Sequence, residues 1–161
     1  MISLFLGLTA LNLLCLGTAA ALGYAYGGTA RGGQHILAGA VAALVGSGVH
    51  CVVFTYFVAT AKWVQHAIDV RRLDPALAAP TRSFRAQAFP AAMGAITSVL
   101  LAAFSGAAAD NYHGSAGAWH HGLVLIALAV NVVAAAVEYR AIARNGRLID
   151  GVLEKLNGIA D

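Results

Sequence analysis

The sequence predicts an all-α membrane protein, a four-transmembrane-helix up-down bundle with a C-terminal amphipathic helix. Three observations carry that prediction. Of 161 residues, 60% are apolar by type and only 11% are charged, whereas a soluble domain has about 25% charged residues. Four stretches each supply the roughly 20 mostly apolar residues that a helix needs to cross a hydrocarbon core. No alternation of apolar and polar residues is sustained, so a barrel is not expected and helices remain as the structures that satisfy their backbone in lipid. The composition excludes a soluble globular enzyme, a disordered chain and a disulfide-stapled secreted domain.

The spans are expected at about residues 2–25, 35–60 (extending as an amphipathic helix to 70), 89–109 and 118–139. The first, Ile2 to Ala25, has Asn12 as its one strongly polar side chain and lacks a basic leading segment, so it is read as a retained span and not a cleaved signal. The second continues through Lys62, Trp63, His66 and Asp69. The third opens at Phe89, with Pro90 in the first turn, where a missing backbone donor costs little. The fourth runs from Ala118 to Tyr139. Short connections at 27–33 and 110–117 favour antiparallel neighbours, and the one long linker, Leu73 to Arg85, contains Pro75 and Pro80. No internal repeat is visible. Residues 1–144 form the bundle. Residues 145–161 carry Leu148, Ile149, Val152, Leu153, Leu156 and Ile159 on one face, which predicts a helix on the membrane surface or against a partner subunit.

Basic residues set the orientation. Lys62, Arg71, Arg72, Arg82 and Arg85 lie between spans two and three, Arg140, Arg144, Arg147 and Lys155 follow span four, and Arg31 alone falls on the other side. The positive-inside rule then predicts a multi-pass protein of a bacterial-type inner (cytoplasmic) membrane with both termini cytoplasmic. The net charge of +3 reflects this topology, and no aromatic-interleaved basic patch suggests nucleic acid. Cys15 and Cys51 fall inside spans and read as small packing residues.

Six histidines in a charge-poor membrane chain are the most informative feature. His35, His113, His120 and His121 lie at the outer end, His50 is deep in span two, and His66 reads as an interface residue beside Lys62 and Trp63. Helical rotation puts His120, Ala127, Asn131 and Glu138 close to one line on span four, which must face the bundle interior or a partner. His35 and His120 share a depth on diagonal helices and are expected to face each other. With His121 as a substitute for His120, they could supply the imidazoles of one b-type haem.

Gly39 and Gly46 lie on the face of span two that carries His50, as either a tight helix seam or a slot for a flat cofactor, lipid or quinone. His50 reads either as a buried imidazole bonded to Asn12, Asn131, Thr97 or Ser98, or as a separate ligand with Met93. Glu138 is expected to pair with Arg140, Arg144 or a basic residue of the inner loop, its line with Asn131 and His120 being the alternative, a fragment of a proton path. Asp110 and His113, beside His120 and His121, suggest an outer copper or zinc site.

Architecture and histidine placement resemble four-helix haem-b anchor subunits, with no motif that names a family. The resemblance implies a small integral membrane subunit of an electron-transfer or respiratory complex, carrying one haem b and partnered by lipid and other membrane subunits. The alternatives are a cofactor-free accessory or assembly subunit and an outer-face metal binder. No nucleophile–base constellation can be assembled, so a subunit is expected and not a stand-alone enzyme.

Overall fold

The computed structural model describes residues 1–26, 32–111 and 116–158. Its helices are α1 (Ile2–Tyr26), α2 (Gly32–Arg71), α3 (Ala79–Asn111) and α4 (Ala116–Asn157), with a short 3₁₀ turn at Pro75–Ala78. Among the described residues there is no strand. Each of α1 to α4 is long and apolar enough to cross a membrane. α1 packs on α2, α2 on α3 and α3 on α4, α4 returns to α1, and α2 and α4 meet only weakly across the diagonal. This is an up-down ring of four helices. Its outer surface is apolar: Leu44 is 76% exposed, Trp119 72% and Phe104 71%. A surface of this kind is stable against hydrocarbon and not against water.

Side-chain size explains the close approach of the helices. Ala42, Ala88, Ala92, Ala95, Ala127, Ala134 and Ala141 are all buried at the seams, where small residues let backbones come together and gain dispersion contacts. Larger groups fill two layers. One is built on Phe5, Val53, Phe57, Phe84 and Ile142, and the other on Leu16 and Val99, packed against Ala42 and Ala127.

Three boundaries differ from the sequence expectation. α2 starts at Gly32 rather than His35. α3 starts at Ala79, ten residues before Phe89, and contains Pro90 in its interior. Pro90 cannot donate to the Ala86 carbonyl and its ring crowds that carbonyl, and the burial of Phe84, Ala88 and Ala92 on either side holds the helix through it. α4 does not stop at Tyr139 but runs unbroken to Asn157, so the amphipathic segment is the continuation of span four and not a separate helix. Much of its apolar face packs within the chain, while Leu153 stays exposed. Val152 is buried against Val64, Ala67 and Ile68 of α2, with Leu73 and Leu77 closing the layer.

α2 ends in a Schellman-type stop. Arg72 takes a left-handed φ of 53°, and the Leu73 amide donates to the Ile68 carbonyl at 3.0 Å, the bond that terminates a helix when the following residue turns left-handed. Asp74 then caps the 3₁₀ turn by accepting from the Ala76 amide at 2.8 Å.

The two helical hairpins repeat each other, which the sequence did not make visible. Asn12, Leu16, Ala19 and Gly23 of α1 have the same spacing as Ala95, Val99, Ala102 and Gly106 of α3. Likewise His35, Ala42, Gly46, Val53 and Phe57 of α2 match His120, Ala127, Asn131, Glu138 and Ile142 of α4. Because the matching positions are mostly small or aliphatic, the repeat lies in which residues are buried and not in their identity.

Candidate functional site: a polar axis through the bundle

Polar side chains occupy three levels inside the bundle. At the histidine end, His35 sits in the first turn of α2 and sends Nδ1 to the Ala19 carbonyl of α1, 2.9 Å away. A carbonyl can only accept, so Nδ1 carries the proton and Nε2 keeps its lone pair. His120 does the same from the first turn of α4. Its Nδ1 donates to the Ala102 carbonyl of α3 at 3.1 Å and lies 3.1 Å from Ser105 Oγ, which itself donates to Ala102.

Each ring lies over a glycine one turn beyond its carbonyl partner. A Cβ on Gly23 would stand 2.8 Å from His35 Cε1, and one on Gly106 would stand 2.9 Å from His120 Cε1. The two glycines are therefore required by the imidazoles themselves. The two rings face each other across the diagonal as expected, centroids 5.8 Å apart and edge to face at 64°. His121 points away, exposed, and stacks on Tyr24 at 5.4 Å.

At mid-depth, α1, α2 and α4 contribute a four-residue network. His50 Nδ1 lies 2.8 Å from Glu138 Oε1, and His50 Nε2 lies 3.2 Å from Asn131 Oδ1. Asn12 Nδ2 donates to the same Asn131 oxygen at 2.9 Å, and Asn131 Nδ2 donates back to the Ala127 carbonyl. His50 is 2% exposed and Glu138 0%. Both imidazole nitrogens face acceptor positions, and two proton arrangements satisfy that geometry. An imidazolium can face a carboxylate, or a neutral imidazole protonated on Nε2 can accept from a carboxylic acid. Both place one proton in the His50–Glu138 contact and leave the pair electrically neutral. Glu138 Oε2 and Asn12 Oδ1 have no partner.

The expected pairing of Glu138 with Arg140 or Arg144 is therefore replaced by His50. The reason is the length of α4: since the helix continues to Asn157, Glu138 lies at mid-bundle depth and not at a helix end. Of the partners expected for His50, Asn131 bonds it directly and Asn12 joins through Asn131. Ser98 bonds only to its own helix at Ala95, and Thr97 is exposed. Met93 is 52% exposed and faces away, so it does not join His50. The room beside Gly46 is taken by Asn12, whose Oδ1 would stand 2.9 Å from an added Cβ, while the space at Gly39 is open.

At the basic end, Asn145 Nδ2 reaches Tyr56 Oη at 3.0 Å and Thr60 Oγ1 at 2.9 Å. Sequence reasoning missed this level, although Asn131, Glu138 and Asn145 recur every seventh residue along α4, which is a helical-face signal.

Among the described residues no three His, Cys, Asp or Glu side chains converge as a metal site. The expected outer metal ligands lie outside what the structure describes, His113 entirely and Asp110 in its side chain. Comparison with protein-family models, with curated proteins and with solved structures found no match to this chain.

Proposed function

We propose that the chain is a small integral membrane subunit of an electron-transfer complex, with His35 and His120 as the residues that would hold one b-type haem at the histidine end. The observation that carries this reading is the paired imidazole geometry. Each ring comes from the first turn of one of two diagonal helices, each donates Nδ1–H to a backbone carbonyl of a neighbouring helix, and each is left with an Nε2 lone pair. Histidines that bind metals almost always have their other nitrogen fixed in this way, because it selects the tautomer and raises ligand basicity. The haem would supply one-electron chemistry. The chain's own residues hold and orient the imidazoles and keep the site apolar through Leu16, Ala42, Val99 and Ala127.

The basic end, with Lys62, Arg71, Arg82, Arg85, Arg144, Arg147 and Lys155, faces the cytoplasm of a bacterial-type inner membrane under the positive-inside rule. The partners are lipid and other membrane subunits, with a quinone as a candidate redox partner.

A second reading is a cofactor-free accessory subunit that packs against larger partners. It is favoured by the edge-to-face contact of His35 and His120 and by the way each ring already fills its glycine notch. A visible spectrum separates the two. Full-length protein purified in detergent from cells supplied with haem is expected to give a reduced-minus-oxidised b-type band that disappears in both His35→Ala and His120→Ala. A colourless, folded wild-type protein that takes up no added haem would refute the first reading and leave the second.

A further inference from the structure

Arginines gather on the exposed side of the seam between α3 and α4. On α4, Val133, Arg140 and Arg147 recur every seventh residue, and Arg144 stands one turn from each of the two arginines, so all four share one exposed face. On α3, Ser83, Gln87, Pro90 and Gly94 share a face by the same helical spacing and are exposed as well. One hydrogen bond joins the two strips, from Arg144 Nη1 to Gln87 Oε1 at 3.4 Å. Gln87 in turn donates to Ser83 Oγ at 3.2 Å.

The fold leaves these arginines without counter-charges. Like charges one turn apart repel each other, and among the described residues the one ion pair is His50 with Glu138. Glu138 is buried inside the bundle, and the next acids on α4, Asp150 and Glu154, lie beyond Arg147. Arg144 uses one of its five N–H donors on Gln87. Toward the middle of the membrane the same seam becomes an apolar groove, lined by Pro90, Ala91 and Gly94 of α3 and Ala129, Val130 and Val133 of α4. A Cβ added at Gly94 would meet only Val130, at 3.9 Å. Arg140 stands two turns, about 10 Å, beyond Val133, and Gln87 one turn beyond Pro90. A molecule with an anionic head and a long apolar tail fits both parts at once.

We propose that this seam binds one anionic glycerophospholipid from the leaflet at the basic end. Arg140 and Arg144 hold its phosphodiester, Arg147 flanks it, and one acyl chain lies in the groove along Gly94 and Val133. Charge sets the head group, since basic clusters beside the end of a span attract anionic lipid and the guanidinium fork matches two phosphate oxygens. Depth sets a lipid and not a soluble phosphate, because the groove faces hydrocarbon and Arg140 directly follows the span. The site lies on the outside of the bundle, at the end opposite His35 and His120, so its test is separate from that of the preceding reading.

Native mass spectrometry of the full-length protein, released from micelles holding equal amounts of phosphatidylglycerol and phosphatidylcholine with the same acyl chains, reads the preference directly. The wild type is expected to retain one phosphatidylglycerol with a preference of roughly twenty-fivefold, about fivefold for each of Arg140 and Arg144. The double variant Arg140→Gln, Arg144→Gln should lose most of that preference, and both sites are exposed, so the fold does not depend on them. Lys62→Gln with Arg71→Gln removes the same charge from exposed sites on α2 and should leave the preference unchanged. Gly94→Leu fills the groove without altering charge and should lower retention severalfold. No preference in the wild type, an equal loss in the Lys62 and Arg71 control, or full retention in Gly94→Leu overturns the proposal. So does a dimer that Gly94→Leu dissociates, because a second copy of the chain would then fill the groove.

Discussion

Replacing Gly46 by alanine tests the close fit at the centre of the bundle. An added Cβ would stand 2.9 Å from Asn12 Oδ1, 3.7 Å from its Cγ and 4.0 Å from its Nδ2, so the whole carboxamide must move. Asn12 is 2% exposed and has nowhere to swing without leaving Asn131. Overpacking a tight core costs about 1–3 kcal/mol. Loss of the Asn12–Asn131 bond adds about 0.6 kcal/mol, the average for interhelical bonds in a membrane protein. Alanine returns up to about 1 kcal/mol through better helix propensity. The net expectation is a loss of about 1–2 kcal/mol, read as a shift in the unfolding midpoint in mixed detergent micelles. Gly39→Ala and Gly48→Ala are internal controls, since an added Cβ meets nothing within 4 Å at either site. They should be neutral or slightly stabilising. In Asn12→Ala the obstructing carboxamide is gone, so Gly46→Ala should then cost at least 1 kcal/mol less than in wild type. If Gly46→Ala behaves like the controls, or costs the same with and without Asn12, the packing argument fails.

Other expectations follow from single contacts. Gly23→Ala and Gly106→Ala should each displace an imidazole from its carbonyl partner; one nitrogen-15 resonance change per variant, at His35 or His120, is the measurement. Arg72→Gly should stabilise the protein by about 0.5–1 kcal/mol, because it removes the left-handed strain at φ 53°, and denaturant titration would detect it. Val152→Ala should cost about 1–2 kcal/mol through two lost methyl groups and the cavity they leave against Val64 and Ile68. An unchanged midpoint would mean that the extension of α4 does not hold the extension of α2.

The parts of this molecule that follow from helical period were legible in the sequence. Four spans, their antiparallel order, the diagonal placement of α2 and α4 and the facing of His35 and His120 all come from hydrophobic length, loop length and rotation per residue. The Asn131–Glu138 line came from the same rotation. The ends of helices were not legible. Asn145 and Gly146 look like a stop by propensity, but Asn145 gains two side-chain bonds to α2 and Val152 a buried contact, and tertiary contacts of this kind override a preference of about 1 kcal/mol. That one error moved Glu138 from mid-bundle to a helix end and so gave it arginines as partners. Pro90 misled in the same way. Proline is tolerated inside a helix where packing on both sides of it outweighs the missing donor and the ring's clash with the preceding turn, as the burial of Phe84, Ala88 and Ala92 does here.

The repeat of the two hairpins clarifies the polar axis. Where the halves agree, as in the histidine over a glycine, bonded to a carbonyl one turn away, the bundle carries two copies of one device related across the diagonal. Where they disagree, the difference is always polar against apolar at mid-depth: Asn12 against Ala95, Asn131 against Gly46, Glu138 against Val53. Two symmetric apolar halves would pack without any of these groups, and an apolar replacement for a buried ion pair is often neutral or stabilising. Asn131 bridges Asn12 and His50 through one oxygen, and Gly46, its counterpart in the repeat, leaves room for Asn12. Packing therefore accounts for the small residues but not for Glu138, whose second oxygen satisfies nothing in the fold. A group that the scaffold does not need, placed where lipid penalises it most, is where function is to be sought.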